Sequence, residues 1–240
     1  MTDPLDFSNA AMHARPTRGT GRPSRGYYRD GTRVPSVTTV LGQVNAKGDR
    51  LLRWIHSQGV KGVPFGAERD RKATIGTTVH AAAERLWLGQ PPAAALYGAL
   101  RDEGQGLDQD SQDQVHIAFD GVVSWWRQAK LRPLEVEVAR VSRHGFGGTY
   151  DLLAEDVAGR LVVADLKTSG AVYGSYWAQL GAYALLVEEH RGRLPDAVQV
   201  VRCDVKGKVE APRRFEVREL GGAFLAALEW YRARKRLGLE

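Results

Sequence analysis

Two carboxylates and an amine carry the first chemical signal. The segment LVVADLKTSG, residues 161–170, is apolar through its first half and then places Asp165 and Lys167 with one residue between them. On a strand, residues two apart project from the same face, so the acid and the amine stand side by side at the mouth of a core strand. Asp151, in GGTYDLL, lies fourteen residues before Asp165. If residues 149–154 and 161–167 pair across a turn at 156–160, both aspartates reach the same end of the sheet and face one spot. Two carboxylates held together repel, and burying them without a cation is costly. A divalent ion resolves the conflict, and hard oxygen donors suit Mg²⁺ or Mn²⁺. Lys167 beside them could acidify a water or hold a phosphate oxygen.

The Asp-x-Lys triplet is weak evidence alone, because CDVKG repeats it at Asp204 and Lys206. That second pair has no upstream carboxylate and runs straight into a Lys-Gly-Lys turn, so it reads as a solvated hairpin end. Gly147 and Gly148, just ahead of Asp151, remove side-chain bulk where backbone or ligand must come close.

The surrounding pattern supplies the elements. Asp30-Gly31 marks a hairpin, and Ser36 caps a helix through Val37, Val40 and Leu41. A second helix is predicted over 48–59 and a third over 73–89, with Val79, Ala82, Ala83 and Leu86 on one stripe and Gly89 as its stop. Residues 101–113 read as an exposed polar loop. Ser111 with Gln114 reads as a capping box opening a helix over 111–130, striped by Val115, Ala118, Phe119, Val122 and Trp126. Then the texture changes: 133–142, 147–156 and 159–168 read as an antiparallel meander, 173–192 as a helix, 196–205 and 210–220 as strands, and 221–238 as a closing basic helix. A helical N-terminal half followed by βββαββα implies one α/β domain with a helical elaboration. The division is a disordered basic arm over 1–26, a mainly helical part over 27–130 and a βββαββα core over 131–240.

The totals narrow the classes. The 240 residues carry 34 Lys+Arg against 28 Asp+Glu, a formal charge of +6 that favours polyanionic partners, nucleic acid first. Cys203 is the only cysteine, which excludes an internal disulfide, a four-cysteine zinc site and a cysteine-held iron–sulfur cluster. No apolar run has the length of a membrane span and the N-terminus lacks a signal-peptide core, so the expected location is the cytoplasm, without membrane contact.

Taken in order, GTTVH (76–80), GGTYDLL (147–153), ADLKTS (164–169) and YWAQLGAY (176–183) resemble the PD-(D/E)XK nuclease superfamily, and within it the RecB-like exonuclease branch. DGTRVPSVTTVL, residues 30–41, is similar to the opening of phage and prophage members, and the likeness spans about 27–192. The resemblance implies a restriction-endonuclease-like core: a central mixed β-sheet flanked by helices. It implies that Asp151 and Asp165 bind Mg²⁺ or Mn²⁺, with the carbonyl of Leu166 and the imidazole of His80 as further ligands. Lys167 would activate or orient the attacking water. Gln179 and Tyr183, four apart on one helix face, would reach the site or the DNA backbone. Glu137, or Glu135 in the other strand register, would be the further acid that related nucleases often place on the first strand. Thr168 and Ser169 would donate to a phosphate or cap the strand end.

Two positions depart from the family pattern: Tyr150 stands where a proline usually precedes the first acid, and the lone cysteine makes this a cluster-free type. The implied activity is metal-dependent hydrolysis of DNA phosphodiester bonds from ends by metal-activated water. The basic arm and Arg232, Arg234, Lys235 and Arg236 would give sequence-independent affinity for the DNA backbone. The same residues would equally serve a structure-selective or restriction-type endonuclease, or a non-catalytic DNA-binding subunit. A homo-oligomer, or a separate recombination or helicase partner, is compatible with the chain, which has no phosphate-binding Gly-x-x-x-x-Gly-Lys loop of its own.

Overall fold

The computed structural model describes residues 17–18, 23, 26–44 and 65–239. Asp30 and Gly31 take φ 48 and 75, the left-handed pair that closes a two-residue hairpin between β2 (Tyr27–Arg29) and β3 (Thr32–Val34). Ser36 accepts the Thr39 N–H at 3.0 Å and opens α1 (Val37–Val44) as expected of a cap. The helix predicted over 48–59 and most of the arm over 1–26 lie outside the described residues.

In α2 (Phe65–Trp87) the stripe of Val79, Ala82, Ala83 and Leu86 is buried, and Gly89, at φ 92, follows its end. The exposed loop predicted over 101–113 is shorter than expected. A helix not anticipated from the sequence, α3 (Pro92–Asp102), enters it from one side, started by a proline whose missing N–H costs a first turn nothing. From the other side α4 (Gln109–Ala129) begins earlier than Ser111, because Asp108 accepts the Ser111 N–H at 2.9 Å and is the cap. Ser111 is instead buried and takes a bond from Arg71.

Strands β4 (Arg132–Val141), β5 (Gly147–Glu155) and β6 (Leu161–Lys167) form the expected antiparallel meander. After α5 (Gly174–Arg191), β7 (Ala197–Cys203) lies parallel to β6. The strand predicted over 210–220 is corrected. Pro212 has no N–H for the ladder, so only β8 (Val209–Glu210) and β9 (Arg213–Arg214) pair with β7. Val217 already belongs to α6 (Val217–Arg236), since Val217, Gly221, Phe224 and Leu228 make one buried helical stripe. At the far edge β1 (Thr17–Arg18) runs parallel to β4, giving the order β1-β4-β5-β6-β7-β8, with β9 also on β7.

This mixed sheet is covered on both faces. One core cluster draws on α2, α3 and α4 together with Val136, Leu152, Val162, Ala164 and Leu166. The other draws on α1, α5 and α6 together with Val138, Tyr150, Leu153, Val163 and Val200. The α/β class with a central mixed sheet flanked by helices is therefore the one expected of a restriction-endonuclease-like core. Among the described residues no helix is long and apolar enough to cross a membrane.

Candidate active site

The pairing of β5 with β6 runs from Glu155↔Leu161 to Leu152↔Ala164, and the strands part just where Asp151 and Asp165 follow. There Asp151 turns its carboxylate across the gap and accepts the Leu166 N–H at 2.7 Å. Lys167 returns over Asp165, with Nζ 2.5 Å from Oδ2, and lies 5.0 Å from the centre of the Tyr176 ring. Asp165 is 1% exposed and Asp151 7%, so both acids are inside the molecule and only a cation or hydrogen bonds can hold them there.

Each neighbouring element adds one group. Helix α2 brings His80, whose Nδ1 is 3.5 Å from Asp151 Oδ2. Gly76, one turn earlier on the same stripe, lets α2 pass close to the segment after β6, since a Cβ there would sit 3.3 Å from Thr168 Oγ1. From α5, Gln179 donates to Asp165 Oδ1 at 3.3 Å and to the Tyr183 hydroxyl at 2.7 Å. Both are largely buried on the cleft wall, where Gln179 links Asp165 to Tyr183.

Strand β4 sends the two glutamates to different surroundings. Glu137 sits between the pairs Val136↔Leu152 and Val138↔Tyr150, opposite Asp151, with φ 52. Val136 and Val138 join different core clusters, although residues two apart on a regular strand share a face; the left-handed turn of Glu137 reverses the alternation. The result is that His80, Glu137 and Asp151 bring one donor atom each to within 4.8 Å of one another. Glu135 goes elsewhere: it accepts from Arg191 at 2.8 and 2.5 Å and, in a short bond, from the Tyr150 hydroxyl. Tyr150, the departure from the expected proline, thus anchors Glu135.

The ionisable groups shift one another strongly. Burial, and then the Asp151 charge, push the Glu137 carboxyl up to about 8. Burial also raises Asp165, to about 6, with Lys167 acting against it. Asp151 is held below its usual value despite burial, because His80 and Lys167 are close and Leu166 N–H binds it. Burial works against the His80 imidazolium and the Lys167 ammonium, but the aspartates outweigh it, and both are raised.

These groups line a cleft of about 530 Å³ whose wall also includes Tyr27, Ser36, Lys72 and Thr168. Lys72 and Tyr176 were not singled out from sequence, although both carried a readable signal. Lys72, Gly76 and His80 follow one another at i+4, and Tyr176 precedes Gln179 by three on one helix. Ser169 closes the strand end, donating to Ala171 O at 2.9 Å and accepting from Tyr176. Gly147 and Gly148 make room for neighbouring side chains, since added Cβ atoms would meet the Tyr27 ring at 2.1 Å and Tyr183 at 2.9 Å, and Gly148 also lines the cleft.

The second Asp-x-Lys pair is corrected. Asp204 is not solvated but buried, bound by Arg202 at 2.6 Å and by the Lys206 and Lys208 N–H groups at 2.9 Å. Of the basic residues on α6, Arg232 is engaged by Glu229 and the His144 carbonyl, and Arg234 by the carbonyls of Leu239 and Gln43. Lys235 and Arg236 are exposed.

No curated protein matches the chain. Among solved structures, one from Eubacterium rectale, named as a candidate exonuclease, is similar at 10% identity and a TM-score of 0.45, over 67% of this chain. The chain spans 65% of the length of that structure. A second, SSO0001, is similar at 12% identity and a TM-score of 0.30, over 65% of this chain and 74% of its own. The sequence model of the PD-(D/E)XK nuclease superfamily matches residues 51–235, a span that contains both strands of the acidic pair and the helices that support them. That match covers well over half of the chain, which therefore belongs to the PD-(D/E)XK nuclease superfamily.

Proposed function

We propose that this chain is a divalent-metal-dependent DNA nuclease of the RecB-like branch that hydrolyses phosphodiester bonds from DNA ends. The observation that carries the reading is the convergence of His80, Glu137 and Asp151 within 4.8 Å, beside the buried Asp165–Lys167 pair. Two carboxylates and an imidazole are a donor set that Mg²⁺ accepts and Mn²⁺ accepts more readily. The raised Glu137 carboxyl supports the fit, because a crowded acid keeps a proton where a cation would otherwise stand. His80, Glu137, Asp151, Asp165 and the Leu166 carbonyl would hold the ion, which supplies Lewis acidity toward phosphate and water.

The chain's own groups then divide the remaining work. Lys167, kept protonated by Asp165, presents N–H donors to a phosphate oxygen or orients the attacking water. Gln179, tied to Tyr183, keeps Asp165 in place. Thr168, on the cleft wall, offers a hydroxyl to phosphate. The supporting order of motifs, His80 on a helix, Asp151, the Asp-Leu-Lys strand end and the Gln-x-x-x-Tyr helix, is that of the RecB-like branch.

Matched linear and closed circular DNA, incubated with the protein in Mg²⁺ or Mn²⁺, test the reaction class. Progressive shortening of the linear form alone is expected. Nicking or linearisation of the circle would overturn action from ends and make the same site that of an endonuclease.

A further inference from the structure

A second cleft, of about 760 Å³, lies between the β2–β3 hairpin and the C-terminal part of α6. Tyr27 and Ser36 line both this cleft and the candidate active site, so the two share a wall. Among the described residues, Arg33 and Lys235 are the charged groups on its lining; both are exposed, and neither has a carboxylate partner among those residues. A cleft beyond the other arm of the hairpin is different, because there Arg29 and Arg143 face Asp30 and Glu189. Beside Arg33 and Lys235 stand the Tyr231 ring, with Lys235 Nζ 5.8 Å from its centre, and the hydroxyls of Ser36 and Thr39, 2.8 Å apart.

Cations without acids, an aromatic face and hydroxyl donors along a concave path are what a single nucleic-acid strand requires: phosphates pair with the cations and bases stack on the ring. The volume argues the same way. Clefts of roughly 300–1,000 Å³ hold one flexible ligand-sized segment, and a duplex would have to lie across the rim. We propose that this cleft is the track of a single DNA strand running on from the phosphate held at the active site, with Arg33 and Lys235 on successive phosphates. The inference rests on the nuclease reading and names its substrate at this point as unpaired.

The test reads binding in EDTA, where no hydrolysis occurs, by anisotropy of labelled oligothymidylates of roughly 5 and 20 nucleotides, lengths that bracket typical single-strand site sizes. For the longer oligomer, Arg33→Glu/Lys235→Glu should weaken binding at least about tenfold. It should also make the slope of log K against log salt shallower by about 1.4, since each phosphate left without its cation removes about 0.7. The milder Arg33→Gln/Lys235→Gln pair should change the slope equally. Arg101→Glu/Arg127→Glu, with the same net charge change on exposed helix positions, should leave it unaltered. A wild-type slope in both cleft variants, an equal loss in the Arg101/Arg127 control, or tighter binding of a matched duplex would overturn the track. A wild-type protein that binds the long oligomer with the expected slope but cuts no DNA in metal would overturn the nuclease reading and leave the track standing.

Discussion

Glu137 holds a left-handed backbone, φ 52, where a residue other than glycine stores about 1–3 kcal/mol of strain. The strain turns its carboxylate toward Asp151 and His80, whereas Glu135, two residues earlier, is spent on Arg191 and Tyr150. The sequence offered both acids, and no periodicity could choose between them, because the choice depends on one reversed residue within β4. The two variants should separate cleanly. In EDTA, a raised carboxyl costs folding stability as pH climbs from about 4.5, its ordinary value, toward about 8, so Glu137→Gln should melt above wild type at about pH 9 and level with it at about pH 4. The same variant should lose at least about tenfold in Mn²⁺ affinity by calorimetry. Glu135→Gln should do the reverse, losing about 1–3 kcal/mol of stability while its turnover stays at the wild-type level. A drop in turnover for Glu135→Gln alone would reassign the site acid.

The β5–β6 turn sets how the two aspartates meet, and Asp156 holds that turn. Its carboxylate accepts the Ala158 and Arg160 N–H groups at 3.0 and 3.1 Å and the Arg160 side chain at 2.9 Å. Despite the opposing effect of burial, these bonds lower it to about 2. A depressed carboxyl stabilises the fold above its unfolded value near 3.8, and that contribution disappears as pH falls toward 2. Asp156→Asn should therefore cost about 2 kcal/mol at neutral pH and almost nothing near pH 2, read from urea melts at both. An equal cost at both pH values would mean that shape and not charge holds the turn. Most elements were legible because period-two strands and helical stripes repeat over many residues. Helix α3 apart, the errors fell where one residue decides: Asp108 and not Ser111 as the α4 cap, Pro212 breaking a strand, and Asp204 buried by Arg202.

On the scale of the whole molecule, three layers converge on one spot. Helix α2 from one face and α5 from the other reach the point where β5 and β6 separate, and they deliver His80 and Gln179 to Asp151 and Asp165. Close approach makes this possible. Gly76 passes beside Thr168, and at Gly181 a Cβ would fall 2.3 Å from the Leu220 backbone of α6. The motif order brought out the Asp151 and Asp165–Lys167 strand ends from sequence, but the cleft beside them joins residues of the hairpin and the last helix, distant in the chain and without a shared motif. The most direct measurement of the central claim is release of acid-soluble nucleotides from linear DNA by wild type and Lys167→Ala, each in Mn²⁺ and in EDTA. The account predicts release by wild type in Mn²⁺ only, with the variant slower by about 10²–10⁴-fold while it still binds Mn²⁺. Undiminished release in EDTA, or by the variant, would contradict it.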